Sequence, residues 1–132
     1  MSFSGKVLLV DDEPHIRKFV GLVVRQAGAT ALLEAGDGEE ALALYQQRRP
    51  DLVLLDINMP GMTGLETLRR LKELDPSCVV IMLTSLATRQ IVEESLALGA
   101  ASYIRKDTPR EEIGRLFLET VAACLGEGEG AP

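Results

Sequence analysis

The chain has 132 residues, of which 46% are apolar and only 4% aromatic, so it fits one domain with a core of aliphatic side chains. The net charge of −6 argues against a nucleic-acid-binding surface and against docking on anionic membranes, because both need clustered Lys and Arg. The sequence shows neither a signal peptide nor an apolar run near the ~20 residues of a membrane span, and we expect a cytoplasmic protein.

Short apolar runs alternate five times with longer amphipathic stretches. The first run, at residues 6–10, is almost continuously apolar, which indicates a strand buried on both faces. Apolar side chains then recur at helical spacing from Ile16 to Ala27, on a helix that Pro14 opens and Gly28 ends. The residues before this helix are acidic, so a polar segment follows the first strand directly.

The same alternation continues to the end of the chain. Further strands are predicted at residues 30–34, 51–56, 79–83 and 101–104. Further helices are predicted at residues 39–47, 65–74, 88–98 and 109–124. We expect residues 1–125 to form one domain and residues 126–132, which begin with alternating Gly and Glu, to be a disordered tail or the start of a linker.

The two cysteines, Cys78 and Cys124, lie far apart and outside any metal-ligand spacing. Each falls in or beside an apolar stretch. We predict that both are buried thiols and that no disulfide joins them.

Strands that alternate with helices predict a parallel sheet with helices on both faces, and such sheets bind ligands at the carboxyl ends of their strands. The residues at those ends are consistently polar. They are Asp11-Asp12-Glu13 after the first strand, Asp56 at the end of the third, Thr84-Ser85 after the fourth and Arg105-Lys106-Asp107 after the fifth.

In a parallel sheet Asp11, Asp12 and Asp56 converge, and their like charges require a cation. Ligands that are all oxygens select a hard ion such as Mg²⁺. A carboxylate beside Mg²⁺ is also a nucleophile toward phosphorus, and phosphoryl transfer depends mainly on positioning and charge neutralisation. Lys106 and the Thr84 hydroxyl would then contact phosphoryl oxygens, with backbone N–H groups of residues 58–61 as further donors.

Each of these residues also has a structural interpretation when it is taken alone. Asp12 or Thr84 would serve as a helix cap, Lys106 as a solvated surface charge and Tyr103 as packing. His15 is typical of a helix surface. The occurrence of such residues at four strand ends together favours a functional site.

These residues resemble the receiver domain of two-component response regulators. The resemblance spans about residues 6–124 and is carried by Asp11-Asp12, Asp56-Ile57-Asn58-Met59-Pro60-Gly61, Thr84 and Lys106. It implies a flavodoxin-like, doubly wound sheet of five parallel strands in the order 2-1-3-4-5, with five helices on both faces. It also implies a signalling switch in which Asp56 accepts a phosphoryl group from a sensor histidine kinase or a histidine phosphotransfer protein.

The resemblance further implies a role for each site residue. Mg²⁺ is bound by Asp12 most directly, by Asp11 often through water, by Asp56 and by the backbone carbonyl of Asn58. Thr84 and Lys106 bind the phosphoryl group. Tyr103 is the aromatic residue that swings inward. The signal then passes through the surface of the fourth helix, fifth strand and fifth helix. The receiver of the signal is a downstream target or output domain, or a second copy of the chain in a phosphorylation-dependent homodimer.

The chain departs from the family at three points. Asp107 replaces the usual Pro after Lys106, so we expect a trans peptide there, and Asp107 is a potential competitor for Lys106. Ser85 replaces a common Ala. Asn58 and Leu86 occupy positions that tune acyl-phosphate hydrolysis in this family.

The sequence leaves three alternatives to the switch. An aspartyl-phosphate phosphotransferase needs an acid at the position of Asn58, and a flavin or nucleotide domain needs a Gly- or Ser/Thr-rich loop where Asp11-Asp12-Glu13-Pro14 stands. A pseudo-receiver that only binds proteins is kept open by Asp107 and Ser85. We predict a signalling phosphoacceptor that catalyses its own phosphorylation and dephosphorylation, rather than a conventional enzyme.

Overall fold

The computed structural model describes residues 3–85 and 88–125, which form five strands and five helices in strict alternation. The strands are β1 (Gly5–Val10), β2 (Ala29–Ala35), β3 (Leu52–Asp56), β4 (Val80–Thr84) and β5 (Ser102–Arg105). The helices are α1 (Pro14–Gln26), α2 (Gly38–Arg48), α3 (Gly64–Leu74), α4 (Arg89–Ala97) and α5 (Arg110–Leu125). The elements predicted from hydrophobic periodicity are confirmed to within one or two residues at their ends.

The strands form one parallel sheet in the order β2-β1-β3-β4-β5, which confirms the flavodoxin-like, doubly wound fold. Successive side chains of a strand point to opposite faces, so each central strand contributes to two cores. Leu9 and Leu54 lie on the face that α1 and α5 cover, whereas Leu8 and Leu55 lie on the face of α2 and α3. Because β3 and β4 are buried along their whole length, the polar residues at their ends are fixed by rigid backbone.

Two helix ends test the capping roles that the sequence left open for Asp12 and Thr84. The residue before α1 is Glu13, whose side chain makes no capping hydrogen bond, so the alternative role of Asp12 as a cap is wrong. Thr88 caps α4 by accepting a hydrogen bond from the Ile91 N–H at 3.2 Å, so Thr84 is not a cap either. Gly28, with a φ of 120°, ends α1 as predicted.

The prediction for the cysteines is confirmed only for Cys78, which is buried, whereas Cys124 is exposed. The two thiols are free. Thr120 pairs with Ser102 at the first residue of β5, with 2.9 Å between their hydroxyl oxygens, so the part of α5 after Thr120 and Val121 extends beyond the sheet. Cys124 continues the apolar stripe of the helix at a point where there is no longer a strand to cover it.

Three further observations bear on the sequence predictions. His15 is exposed on α1, as expected. Within the described ranges, no helix has the length and apolarity required to cross a bilayer. The predicted disordered tail at residues 126–132 and the position of Leu86 lie outside the described residues.

Candidate functional site

Four strand ends meet at one edge of the sheet and carry the polar side chains that the sequence singles out. Asp11 follows β1 directly, Asp56 is the last residue of β3, Thr84 is the last residue of β4 and Lys106 follows β5. The strands are parallel and adjacent, so their carboxyl ends are brought together by topology alone. The predicted convergence of these residues is therefore found in the structure.

Three carboxylates form the centre of the site. Asp11, Asp12 and Asp56 each offer one oxygen, and these three oxygens lie within 4.8 Å of one another. Asp11 and Asp56 are buried, whereas Asp12 faces solvent. Acids packed this closely repel one another unless a cation compensates them.

Lys106 supplies part of that compensation. Its ammonium nitrogen lies 2.9 Å from Asp11 Oδ2, 3.1 Å from Asp56 Oδ1 and 3.4 Å from Glu13 Oε1. The Lys106 backbone N–H donates to the Thr84 carbonyl at 2.8 Å, which holds the loop after β5 in place. One ammonium against Asp11, Asp12 and Asp56 leaves two negative charges, and the exposed Glu13 adds a third, so a divalent cation would balance most of the remaining charge.

The Asp56 carboxylate is only half satisfied. Its Oδ1 accepts a hydrogen bond from the Asn58 backbone N–H at 3.2 Å and contacts Lys106, but its Oδ2 is buried without a hydrogen-bond partner among the described residues. Asp11 Oδ2 likewise has the ion-pair contact with Lys106 but no aligned hydrogen bond. Buried oxygens in this state are costly unless a ligand or ion completes them, so the donor set fits a hard metal ion.

The electrostatics of the pocket follow from burial and crowding. Burial, and then the neighbouring charge of Asp11, raise the pKa of Asp56 to about 6, although Lys106 and the Asn58 N–H pull it down. For Lys106, burial alone would lower the pKa, but the contacts with Asp11 and Asp56 outweigh it and raise the pKa above its usual value. Lys106 is therefore a fixed cation, and Asp56 is an unusually basic carboxylate.

Arg17 is a contact of the pocket that the sequence analysis missed. Its Nη1 donates to the Asp11 backbone carbonyl at 2.6 Å, and its Nε donates to Glu34 Oε1 at 2.9 Å. The Asp11 side chain accepts from the Glu13 N–H through Oδ1 at 2.9 Å. The sequence feature that could have indicated this contact is the position of Arg17 on the first turn of the helix that follows the acids.

Gly64 packs directly behind Asp56. Its N–H donates to the Ile57 carbonyl at 2.9 Å, and a Cβ at this position would lie 2.1 Å from the Asp56 carbonyl oxygen. A side chain would therefore displace the backbone that carries the carboxylate. The start of α3 and the end of β3 meet here at backbone contact distance.

The residues after β4 and around β5 complete the site. Thr84 is buried, and its register partner on β5 is Arg105. Tyr103 lies on β5 with 40% of its surface exposed, opposite Met82 in the register, and Ser85 is exposed. The peptide bonds of the described residues are all trans, including Lys106–Asp107 as expected, and Asp107 pairs with Arg105 rather than with Lys106.

The comparisons with known proteins agree with this geometry. The family model described as the response regulator receiver domain matches residues 7–117. Protein CcdB of Bacillus subtilis is 40% identical over 121 residues, which cover 92% of this chain and 98% of that protein. Sporulation initiation phosphotransferase F, also of Bacillus subtilis, is 38% identical over 83% of this chain and 88% of its own length. The chain spans about half the length of other relatives, such as 54% of the nitrate/nitrite response regulator protein NarL of Escherichia coli.

Solved structures show the same fold. The chemotaxis protein CheY4 of Vibrio cholerae superposes with a TM-score of 0.83 at 32% identity, over 89% of this chain and 99% of that one. CheY in a CheX–CheY–BeF3–Mg²⁺ complex from Borrelia burgdorferi gives a TM-score of 0.82 at 33% identity, over 91% of this chain and 88% of that one.

Proposed function

Because the chain belongs to the response regulator receiver family of two-component systems, we propose that it is a phosphorylation-dependent switch whose phosphoacceptor is Asp56. The donor is the phosphohistidine of a sensor histidine kinase or of a histidine phosphotransfer protein. The observation that carries this proposal is the buried Oδ2 of Asp56, which has no hydrogen-bond partner in the described chain and belongs to a carboxylate held by Lys106 at 3.1 Å from Oδ1. A buried carboxylate oxygen that no donor satisfies is costly, and a metal ion or a phosphoryl group at this carboxylate would relieve that cost.

The transfer is a simple displacement in which atoms and charge balance. A carboxylate oxygen of Asp56 forms the new O–P bond, the N–P bond of the phosphohistidine breaks, and the imidazole leaves with the electron pair and takes up a proton from water. Lys106 and the Thr84 hydroxyl stabilise the phosphoryl oxygens from the ends of β5 and β4. The carboxylate needs no separate base, because the pKa of Asp56, about 6, leaves it ionised near neutral pH.

The proposed cofactor is Mg²⁺, which supplies neutralisation of the negative charge shared by the acids and the phosphoryl group. The residues that would hold it are Asp12, Asp11, Asp56 and the backbone carbonyl of Asn58. The three carboxylate oxygens within 4.8 Å, and the negative charge that Lys106 alone does not balance, support this set. Asp12 is the acid that solvent reaches, so an incoming hydrated ion would meet it first.

The proposed response runs from Thr84 to the surface formed by α4, β5 and α5. Tyr103 has room to move because it is partly exposed on the edge strand β5. Among the described residues of α4, Ser95 is the buried one, so this helix is held by few core contacts and is suited to shift. The downstream partner is a target protein or an output domain, or a second copy of the chain in a phosphorylation-dependent homodimer.

The proposal also concerns the cellular location of the protein and its contacts with membranes and nucleic acids. We propose a cytoplasmic protein in which the receiver itself contacts neither membrane nor nucleic acid, because its net charge is −6. Several relatives are named transcriptional regulators or transcriptional regulatory proteins and are longer than this chain, so any DNA contact would belong to a separate output domain.

The test is the intact mass of the protein after incubation with Mg²⁺ and acetyl phosphate. The wild type should gain the mass of one phosphoryl group, and the gain should vanish without Mg²⁺ and in Asp56→Asn. Asp37→Asn is the matched control, since Asp37 lies outside the pocket and caps α2 by accepting from the Glu40 N–H, a role that Asn keeps. Absence of labelling, together with no change in the amide NMR spectrum on addition of beryllofluoride, would contradict the switch and favour the pseudo-receiver.

A further inference from the structure

Arg17 ties the acidic pocket to the neighbouring edge of the sheet. It projects from the first turn of α1, and its planar guanidinium makes two directed bonds, to the Asp11 carbonyl at 2.6 Å and to Glu34 Oε1 at 2.9 Å. The Arg17 side chain is 21% exposed, whereas Glu34, on the edge strand β2, is 49% exposed. The bond to the carbonyl is therefore the more sheltered of the two.

The carbonyl that Arg17 binds belongs to the peptide between the two pocket acids. The Asp11 N–H is already fixed, because it donates to the Ala35 carbonyl of β2 at 3.0 Å. The guanidinium adds a second restraint on the other side of Asp11. The plane of the Asp11–Asp12 peptide sets the direction in which the exposed Asp12 side chain leaves the backbone, so Arg17 controls an acid that it does not touch.

We propose that Arg17 is a positioning residue of the metal pocket: by holding the Asp11–Asp12 peptide, with Glu34 as its anchor, it sets the affinity of the pocket for Mg²⁺. The proposal rests on the proposed function, in which these acids bind that ion. Groups that orient metal ligands through hydrogen bonds typically change metal affinity by about 10- to 100-fold when they are removed. The Arg17–Glu34 ion pair alone would not have this effect, because partly exposed pairs contribute little.

The chemistry of the side chain leads to a graded expectation. A guanidinium binds two acceptors in one plane, whereas a Lys ammonium is a point donor on a flexible stem. Arg17→Lys therefore keeps the charge but not the paired geometry. Glu34→Gln keeps an oxygen acceptor for the Arg17 Nε and leaves the bond to the Asp11 carbonyl in place.

The experiment is a Mg²⁺ titration of the full chain, followed by backbone amide NMR shifts of Asp11, Asp12 and Asp56. We expect Arg17→Gln to raise the Kd for Mg²⁺ by about tenfold. Arg17→Lys should raise this Kd by at least about threefold, but by less than Arg17→Gln does. Glu34→Gln should change the Kd by less than Arg17→Lys does. Arg25→Gln, at an exposed arginine of the same helix, is the matched control and should leave the Kd unchanged. Urea unfolding of each variant without Mg²⁺ separates a loss of affinity from a loss of stability.

The outcomes distinguish this inference from the proposed function. If the wild type shows no Mg²⁺-dependent shifts at the three aspartates, the metal site itself is refuted. If the wild type binds Mg²⁺ and the folded Arg17→Gln protein binds it as tightly as Arg25→Gln does, Arg17 is only a structural residue. Should Arg17→Gln fail to fold, an unchanged Kd in Arg17→Lys overturns the inference in the same way.

Discussion

Asp107 is held by Arg105, two residues earlier in the chain. Arg105 Nε and Nη2 donate to the two carboxylate oxygens of Asp107 at 3.1 and 3.0 Å. Asp107 stands where the family usually has Pro, and competition for Lys106 was the expected effect of this acid. In the structure Arg105 occupies both of its oxygens, and Lys106 is left to bridge Asp11 and Asp56.

This pairing predicts that Arg105 protects the phosphoacceptor site. In Arg105→Gln the Asp107 carboxylate loses its partner and is able to approach the adjacent Lys106, so phosphorylation by acetyl phosphate should slow by about two- to threefold, a modest factor because the pair is exposed. Intact-protein mass spectrometry on samples quenched at successive times measures the rate of phosphorylation. The double variant Arg105→Gln/Asp107→Asn should return to the wild-type rate, because it removes the competing charge. A double variant as slow as Arg105→Gln alone would show that the arginine acts in another way.

The sequence predicted the site better than it predicted the contacts around it. The strand ends could be located because buried parallel strands are short apolar runs, and topology then brought Asp11, Asp56, Thr84 and Lys106 to one edge. The partner of Asp107 could not be predicted, because Arg105 and Lys106 are both within reach and local backbone geometry selects between them. Arg17 was missed because its contact with the Asp11 carbonyl depends on how α1 leaves the loop.

The prediction that Cys124 is buried was wrong for a related reason. Its position on the apolar stripe of α5 is correct, but burial also requires a surface opposite the helix. The relative lengths of β5, with four residues, and α5, with 16 residues, decide where the helix passes the end of the sheet. Periodicity identifies the inner face of a helix but not the point at which its cover ends.

Mg²⁺ should stabilise the protein by linkage. An ion that binds the folded pocket and not the unfolded chain adds about 1.4 kcal/mol to the free energy of unfolding at a concentration ten times its Kd. Urea unfolding with and without Mg²⁺, at constant ionic strength, measures this increment. Asp12→Asn should reduce it without lowering stability in the absence of metal, since Asp12 is an exposed acid whose neutralisation relieves repulsion. An increment equal in wild type and Asp12→Asn would contradict the assignment of this ligand.

Gly64 should tolerate no side chain. In Gly64→Ala the new Cβ would meet the Asp56 carbonyl oxygen at 2.1 Å, so α3 or the end of β3 must shift, with a loss of about 1–3 kcal/mol in the free energy of unfolding. The shift also moves the phosphoacceptor, so labelling of the folded variant should slow. Gly36→Ala is the control, because a Cβ there meets neighbours only at ordinary distances of 3.7 and 3.9 Å. Equal stability of the two variants, measured by urea unfolding, would refute the close contact behind Asp56.

The buried phenol of Tyr45 should make the stability of the protein depend on pH in the alkaline range. Its hydroxyl donates to Asp75 Oδ2 at 2.8 Å, and burial, followed by this hydrogen bond, raises the pKa of Tyr45 above its ordinary value. A group with a raised pKa in the folded state contributes its full stabilisation below the pKa of the unfolded chain, about 10, and loses it as the pH rises further. Tyr45→Phe should therefore lower the free energy of unfolding by about 1 kcal/mol at pH 7 and flatten its decline above pH 10. The pKa of Cys78 is raised as well, so the thiol also contributes to the pH dependence. The quantity to compare is therefore the difference in free energy of unfolding between wild type and Tyr45→Phe at each pH, measured by urea unfolding. A difference that stays constant from pH 7 to 11 would contradict the role of the phenol.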